Sequence, residues 1–216
     1  MPKIRIRQHV NPLSRKFQQA IALPDWQTIY PHLEYPFHLD IGCARGEFLL
    51  QMAQLYPQTN FLGIEIREAL AIAANQKRDE LGLNNLHYLS GSINASASTL
   101  LASLPANSLH YITIQFPDPW FKKKHQKRRV VQLQLVKILV DYLVDGGNIF
   151  LQSDIKEVAL QMRDRFSANS FLVQKHSTTW LEDNPLPIPT ERELYVLSDN
   201  KPVYRVLFKK ILSQSS

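Results

Sequence analysis

The pattern of the chain is set by the sequence FHLDIGCARGE, which spans residues 37–47. Its first five residues, Phe37–Ile41, are mostly apolar and favour a buried strand. Residues 42–46 contain two glycines and favour a turn, and a helix is predicted over Glu47–Leu55. A strand, a turn and a helix in this order form the repeating unit of an α/β protein, so this stretch predicts the fold class.

The same unit recurs along the chain as far as Phe166. Further strands are predicted at Asn60–Ile66, Asn85–Leu89, Leu109–Gln115 and Asn148–Gln152, and further helices at Arg67–Leu81, Ala95–Leu104, Arg129–Leu143 and Lys156–Phe166. After Ser170 we expect a strand at Phe171–Lys175, a proline-rich connection, a helix from Thr190 and a closing strand at Val203–Phe208. The regular alternation predicts a mostly parallel sheet with helices on both faces.

The composition is typical of one globular domain that has a polyanionic partner. The chain has 216 residues, 44% of them hydrophobic, and a formal net charge of +6. This is enough to bury one core, and we expect a single domain over residues 36–216 after a basic N-terminal arm and lead-in over residues 1–35. Basic and apolar residues alternate in Lys3–Arg7, where a short strand, an arm that orders on nucleic acid and a mobile tail are equally compatible.

The cysteine and histidine content argues against disulfide and metal chemistry. Cys43 is the only cysteine, which excludes an internal disulfide and a Cys-based zinc cluster, and the seven histidines are scattered without metal-ligand spacing. We therefore expect no metal, a reducing compartment and a cytoplasmic location. No apolar run approaches the roughly 20 residues of a membrane helix, so no membrane partner is expected.

Polar residues follow the first three predicted strands. Asp40 lies at the end of the first strand, Glu65 at the end of the second, and Asn94 shortly after the third. Gly42 and Gly46 lack the spacing of a dinucleotide fingerprint, so a ligand without phosphates fits the first turn better. An acid for an amine, an acid for a ribose diol and an amide for an adenine edge match S-adenosylmethionine. Each acid taken alone is also compatible with a surface carboxylate.

A rigid acidic turn follows the fourth strand. The sequence FPDPW spans residues 116–120, and its two prolines fix the backbone around Asp118. Ligands bind at the carboxyl edge of open α/β sheets, so Asp118 is a candidate site residue. By spacing alone, an exposed acid in a proline-rich turn is an equally good interpretation.

A basic run follows the acidic turn directly. Six of the eight residues from 122 to 129 are Lys or Arg, and the aromatic residues Trp120 and Phe121 precede them. Such a run is often a solvated surface, but binding of nucleic-acid phosphates requires this density of cations next to stacking surfaces. Trp120 is expected to pack beneath the turn rather than to stack on a base.

These motifs together resemble the bacterial tRNA (guanine-N7)-methyltransferases, a class I S-adenosylmethionine-dependent family. The resemblance covers nearly the whole chain and rests on FPDPW with its basic run, QSD at residues 152–154, TERE at residues 190–193 and PVYR at residues 202–205. It implies a Rossmann-like fold with a seven-stranded sheet and an antiparallel C-terminal strand. It also implies methyl transfer to N7 of guanine at position 46, in the variable loop of tRNA, by a monomer or a homodimer.

The resemblance further implies roles for individual residues. Asp118 is the implied catalytic residue, and the implied cofactor-binding residues are Asp40, Gly42, Gly46, Glu65, Asn94 and Asp118. Implied substrate-binding residues are Lys122, Asp154, Thr190, Glu191, Arg192 and Glu193, and implied RNA-binding residues are Lys124, His125, Gln126, Lys127, Arg128 and Arg129. Two positions depart from the family pattern, with Ala44 in place of a common glycine and Asn94 in place of a common Asp.

Three alternatives remain open at this stage. Residues 190–193 also fit a capping box, with Thr190 at the N-cap and Glu193 at the third helical position. An Asp-Pro-Trp turn resembles the Asp/Asn-Pro-Pro-aromatic turn of methyltransferases that act on exocyclic base amines. A non-catalytic RNA-binding protein on the same fold would keep the basic run without the chemistry.

Overall fold

The computed structural model describes residues 10–212 and shows a single seven-stranded sheet, as the sequence predicts. The strands are β1 (Phe37–Ile41), β2 (Asn60–Glu65), β3 (Leu86–Ser90), β4 (Leu109–Gln115), β5 (Leu143–Ser153), β6 (Leu172–Gln174) and β7 (Tyr204–Lys210). Their order in the sheet is β3-β2-β1-β4-β5-β7-β6. Strands β1 to β5 are parallel, and β7 is antiparallel to both of its neighbours, β5 and β6.

Helices cover both faces of this sheet. They are α1 (Trp26–Ile29), α2 (Glu47–Leu55), α3 (Glu68–Glu80), α4 (Ile93–Ala102), α5 (Leu133–Tyr142), α6 (Lys156–Ser167) and α7 (Glu191–Ser198). Alternation along β2 separates two cores: Phe61 packs with α2 and α3, whereas Leu62 and Ile64 pack with α4, α5 and α6. None of the helices between residues 10 and 212 is long and apolar enough to cross a membrane.

The largest difference from the predicted elements lies between β4 and β5. The sequence predicts a helix over Arg129–Leu143, but a short 3-10 helix spans Lys123–Arg128 and α5 begins only at Leu133. Strand β5 begins five residues earlier than expected, because Leu143 pairs with Leu109 of β4. Glycine at position 147 permits this, since a Cβ there would lie 2.8 Å from the Leu143 side chain.

The lead-in before residue 36 packs against the domain in the part that the structure describes. Ile21, Trp26 and Tyr30 are buried in the core of the α4 face. The Tyr30 hydroxyl donates to the carbonyl of Phe61, at 2.8 Å, which ties the lead-in to β2. The expectation for Lys3–Arg7 lies outside the described residues.

A tyrosine supports the glycine turn between β1 and α2. Gly46 is the N-cap of α2 and has a φ of +77°, a left-handed conformation that favours glycine. The Tyr88 hydroxyl donates to the Gly46 carbonyl at 2.7 Å, and a Cβ at Gly46 would lie 2.6–2.7 Å from the Tyr88 side chain. The turn is therefore fixed by close packing against β3 as well as by its backbone conformation.

This packing predicts different costs for two glycine substitutions. Gly46→Ala combines an unfavourable left-handed residue, about 1–2 kcal/mol, with overpacking against Tyr88, about 1–3 kcal/mol. Gly82→Ala is the matched control, since Gly82 has a φ of +64° but a Cβ added there would meet nothing within 4 Å. We expect the free energy of unfolding in urea to fall more for Gly46→Ala. Equal losses would contradict the role given to Tyr88.

Candidate active site

A cavity of about 650 Å³ opens at the carboxyl ends of the parallel strands. It lies where β1 and β4 are neighbours, the point at which the strand order reverses and ligands bind in open α/β sheets. The sequence-predicted site residues that line it are Asp40, Gly42, Glu65, Asn94, Asp118, Arg128, Asp154, Thr190, Glu191 and Arg192. Groups expected to hold the cofactor and groups expected to hold the substrate therefore share one cavity.

A buried hydrogen-bond chain orients Asp40 at the floor of this cavity. The Thr113 hydroxyl donates to Asp40 Oδ1 at 2.6 Å, and Thr113 Oγ1 lies 3.1 Å from His38 Nε2. Because the single hydroxyl hydrogen goes to Asp40, His38 is the donor in the second bond. Burial raises the pKa of Asp40 to about 6, although the Thr113 hydroxyl and the Gln115 amide oppose this rise. Asp40 is therefore an anion at neutral pH.

Glu65 is held in the cavity wall by hydrogen bonds from Ala44 and Arg67. Its carboxylate accepts from the backbone N–H of Ala44 and of Arg67, both at 2.9 Å, and from the Arg67 guanidinium at 2.8 and 3.0 Å. These four bonds match the roughly four acceptor sites of a carboxylate. A ribose diol would therefore have to replace or share bonds that Arg67 makes. No sequence motif pointed to Arg67, because an arginine that follows a strand is an ordinary surface residue.

The turn that carries Asp118 is strained and tied down on both sides. Phe116 and Trp120 have φ values of +48° and +41°, which non-glycine residues rarely adopt. The Phe116 N–H donates to the carbonyl of Gln152 at 2.8 Å, and Arg129 Nε donates to the carbonyl of Pro119 at 2.7 Å. These bonds hold Asp118 at the rim of the sheet, where the charge of Arg67 also acts on it.

Arg129 departs from its expected role in RNA contact. It is only 4% exposed, and its guanidinium also donates to Glu157 Oε1 at 2.8 Å. The side chain is used to anchor the acidic turn to α6, so it is not presented to solvent. The preceding Arg128 lies over the Trp120 ring, with 4.9 Å from Cζ to the ring centroid.

The remaining cations of the basic run form an exposed surface beside the cavity. Lys122, Lys123, Lys124 and Lys127 are exposed, as is Phe121. Lys123 is absent from the predicted RNA-binding residues, yet it begins the 3-10 helix and is as exposed as its neighbours. His125 packs edge-on against Trp120, and Trp120 also lines the cavity.

Glu193 does not lie in the cavity wall, where a substrate-binding residue is expected. It is 1% exposed and does not line the cavity. Its carboxylate pairs with Arg205 at 2.7 Å, while its backbone N–H donates to Thr190 Oγ1 at 3.2 Å. Half of the predicted capping box is therefore formed, but the Glu193 side chain turns to β7 instead of back to the helix start. A guanine contact by Glu193 would have to be indirect.

Asp154 and Asn94 line the cavity and also make bonds to the protein. Asp154 forms an ion pair with Arg192, which brings the end of β5 to the start of α7. Asn94 Nδ2 donates to the carbonyl of Val130 at 2.9 Å and joins α4 to the segment after the basic run. In the part of the chain that the structure describes, no group of three or more His, Cys, Asp or Glu side chains could hold a metal ion.

Gln115 and Gln152 were not identified from the sequence. Gln115 is the last residue of β4 and Gln152 the last but one of β5; both lie on the same face of the sheet as Asp40, and Gln115 lines the cavity. Gln152 belongs to the QSD motif but Gln115 belongs to none, so only the register of β4 with its neighbours reveals the pair.

Structural comparison supports the fold. The chain is similar to an rRNA methylase from Streptococcus thermophilus, with a TM-score of 0.52 and 13% identity over 82% of this chain and 88% of that one. It is also similar to a 30S ribosomal methyltransferase from an uncultured bacterium, with a TM-score of 0.55 and 16% identity over 89% of this chain and 97% of that one. At these identities the likeness concerns the fold alone.

Sequence comparison is more specific. A family model described as a putative methyltransferase matches residues 34–206. The chain is 56% identical to a tRNA (guanine-N(7)-)-methyltransferase of Microcystis aeruginosa, over 97% of this chain and 99% of the relative. It is 54% identical to the enzyme of that name from Trichormus variabilis, over 98% of both chains. The chain belongs to the tRNA (guanine-N(7)-)-methyltransferase family, on a class I methyltransferase fold.

Proposed function

We propose that this protein transfers the methyl group of S-adenosylmethionine to N7 of guanine in tRNA, at position 46 in the variable loop. The observation that carries the proposal is the single cavity that Asp40, Asp118 and Asp154 line together. It allows a methyl donor and a base to be held side by side across the carboxyl ends of β1, β4 and β5. Because the proposed substrate is tRNA, we expect the protein to act in the cytoplasm.

The residues of the cavity fit a donor that carries an ammonium, a ribose and an adenine. Asp40 is a buried anion with one oxygen already fixed by Thr113, which suits binding of an ammonium group. Nothing lies within 4 Å of a Cβ built on Gly42, so the turn leaves room for a ligand to approach its backbone. Glu65 is placed for the ribose, with Arg67 moving or sharing its bonds.

The chemistry requires positioning more than proton transfer. S-adenosylmethionine supplies an electrophilic methyl group, and guanine N7 has an in-plane lone pair that needs no general base. Holding the reacting atoms in line contributes up to roughly 7–11 kcal/mol in favourable systems. The task of Asp118 is to place a negative charge where the purine becomes positive, and its rigid turn makes that charge preorganised.

Guanine recognition is assigned to the acids on the substrate side. Asp154 lines the cavity and can accept from guanine N1–H and N2–H₂, which adenine does not offer in that arrangement. Thr190, Glu191 and Arg192 line the same wall at the start of α7. Because Glu193 is buried against Arg205, its contribution is to hold this helix start in place.

The exposed lysines are assigned to the RNA backbone. The N7 edge lies in the deep major groove of A-form RNA, so the target base has to be presented from a loop or extruded. Lys124 and Lys127 lie on the 3-10 helix beside the cavity and can contact phosphates while the base enters it.

The first prediction from the proposed function concerns the product and the role of Asp118. Asp118→Asn removes the charge and keeps the shape, so we expect the transfer rate to fall about 100-fold or more while tRNA binding is retained. Asp141→Asn, an exposed change of the same kind on α5, is the control and leaves the rate unchanged. Nuclease digestion and mass spectrometry of the wild-type product should give N7-methylguanosine. A methyl group on an exocyclic amine would support the alternative methyltransferase class instead.

The second prediction concerns pH. The raised pKa of Asp40, about 6, means that its charge is present above this pH and is lost as the pH falls through it. Affinity for S-adenosylhomocysteine, measured by calorimetry between pH 5 and 8, should therefore fall below about pH 6. Thr113→Val removes a bond that lowers the pKa of Asp40, so the midpoint moves to higher pH, while Thr113→Ser keeps it. An unchanged midpoint in Thr113→Val would refute this account.

The third prediction separates the exposed cations from Arg129. Lys124→Ala with Lys127→Ala should weaken tRNA binding and reduce its salt dependence by about 0.7–0.9 log units per lost phosphate contact. Arg129→Ala should leave the salt slope unchanged and lower the free energy of unfolding by about 1–3 kcal/mol, because buried bonds to Pro119 and Glu157 are lost. A reduced salt slope in Arg129→Ala would return that residue to the RNA surface.

A further inference from the structure

A row of buried polar side chains crosses the sheet at the edge of the cavity. In the register of the strands Gln115 of β4 lies beside Gln152 of β5, and Gln152 lies beside Arg205 of β7. Asp40 of β1 is beside Thr113, two residues before Gln115 and on the same face. The three residues Gln115, Gln152 and Arg205 are each at most 8% exposed. Buried donors are nearly always hydrogen-bonded, so each donor in this row should have an acceptor.

Ion pairing at one end of the row fixes the orientation of the whole row. Arg205 donates twice to Glu193 Oε1, at 2.7 and 3.2 Å, and Glu193 Oε2 accepts from Gln152 Nε2 at 3.0 Å. A carboxylate can only accept, so Gln152 has to present its NH₂ group to Glu193. The same Nε2 donates to Gln115 Oε1 at 2.8 Å, which in turn directs the Gln115 NH₂ group away from Gln152.

This orientation leaves a donor without an acceptor at the cavity. Gln115 Nε2 is buried and makes no hydrogen bond of good geometry to any residue between 10 and 212, and Gln152 Oε1 is buried and unpaired in the same way. Gln115 lines the cavity, whereas Gln152 and Glu193 do not. The Gln115 amide is nonetheless close enough to Asp40 to lower the pKa of that acid against the larger effect of burial. An amide NH₂ group has two hydrogens, so the contact with Asp40 accounts for at most one of them. An unsatisfied buried donor is unfavourable, and the remaining donor capacity indicates that a ligand supplies an acceptor.

We propose that Gln115 Nε2 donates a hydrogen bond to the α-carboxylate of the methionine part of the cofactor, and that Glu193 and Gln152 are positioning residues that fix the Gln115 amide for this bond. The α-ammonium and the α-carboxylate are attached to the same carbon atom. A donor beside the acid that binds the ammonium is therefore placed to meet the carboxylate. The inference rests on the proposed function, since it assumes that the cavity binds S-adenosylmethionine.

The proposal gives Glu193 a second task. The helix start at Thr190 lines the substrate side of the cavity. Glu193, in the same helical turn, fixes the orientation of the Gln115 amide on the cofactor side through Gln152. Asn184 Nδ2 also donates to Glu193 Oε2, at 2.8 Å, so the proline-rich connection before α7 contributes to holding the same carboxylate. The two halves of the site are thereby joined by one hydrogen-bonded chain.

The test compares two ligands that differ in the amino-acid end. S-adenosylhomocysteine carries both the α-ammonium and the α-carboxylate, whereas its decarboxylated analogue, 5′-(3-aminopropylthio)-5′-deoxyadenosine, keeps the ammonium and lacks the carboxylate. By calorimetry at pH 7.5, Gln115→Met should bind S-adenosylhomocysteine about tenfold more weakly and the decarboxylated analogue unchanged, the loss expected for one hydrogen bond to a charged group. Gln152→Met should show the same selective loss, although its side chain does not line the cavity. Gln54→Met, the same substitution at an exposed position on α2, is the control and changes neither affinity.

Each other outcome overturns the proposal in a distinguishable way. Equal losses for both ligands would mean that Gln115 acts through Asp40 or on the packing of the cavity as a whole. Unchanged affinity for S-adenosylhomocysteine, with a rise in KM for tRNA, would assign the Gln115 donor to guanine O6. Wild-type protein that binds neither ligand would contradict the proposed function itself, before any variant is compared. Gln152→Met also keeps the test valid if Gln115→Met fails to fold.

Discussion

The pairing of β1 with β4 is the constraint on which the site depends. It places two parallel strands from distant parts of the chain side by side, so that Asp40 and the FPDPW turn meet at one edge of the sheet. Parallel strands end at the same edge, and the strand order reverses at this pair, which leaves a crevice between the helices of the two faces. The antiparallel strand β7 then brings Arg205 and the preceding helix α7 to the same edge. The cavity is therefore a consequence of topology, and the residues at the strand ends decide its chemistry.

Buried acids at this edge are stabilised in three different ways. Asp40 relies on a neutral hydroxyl and histidine chain, Glu65 on an adjacent arginine and two backbone N–H groups, and Glu193 on a buried ion pair with Arg205. Because of these environments, the three carboxylates differ in their capacity to accept a hydrogen bond from a ligand. Asp40 keeps acceptor capacity towards the cavity, Glu65 has it only if Arg67 yields, and Glu193 is fully engaged in holding the protein together.

Within residues 116–129, the acidic turn and the basic run have different roles. Backbone strain at Phe116 and Trp120 is maintained because the turn is bonded to β5 on one side and to Arg129 on the other. The last arginine of the run is thus part of the support of Asp118. The exposed lysines before it remain available for phosphates, which separates positioning of the chemistry from affinity for RNA.

The sequence by itself determined the fold class, the family and the residues at the strand ends, because these depend on local periodicity and on motifs that are contiguous in the chain. Asp40, Glu65 and Asp118 follow strands whose pattern is visible without a structure. Only the tertiary structure decided which of the polar residues face the cavity. Arg129 and Glu193 are charged residues in motifs, yet both are buried against partners 28 and 12 positions away. Gln115 belongs to no motif, and the QSD motif that contains Gln152 does not show that Gln115, 37 positions earlier, is its partner. Their relation exists only through strand register, and register is set by the packing of the whole sheet.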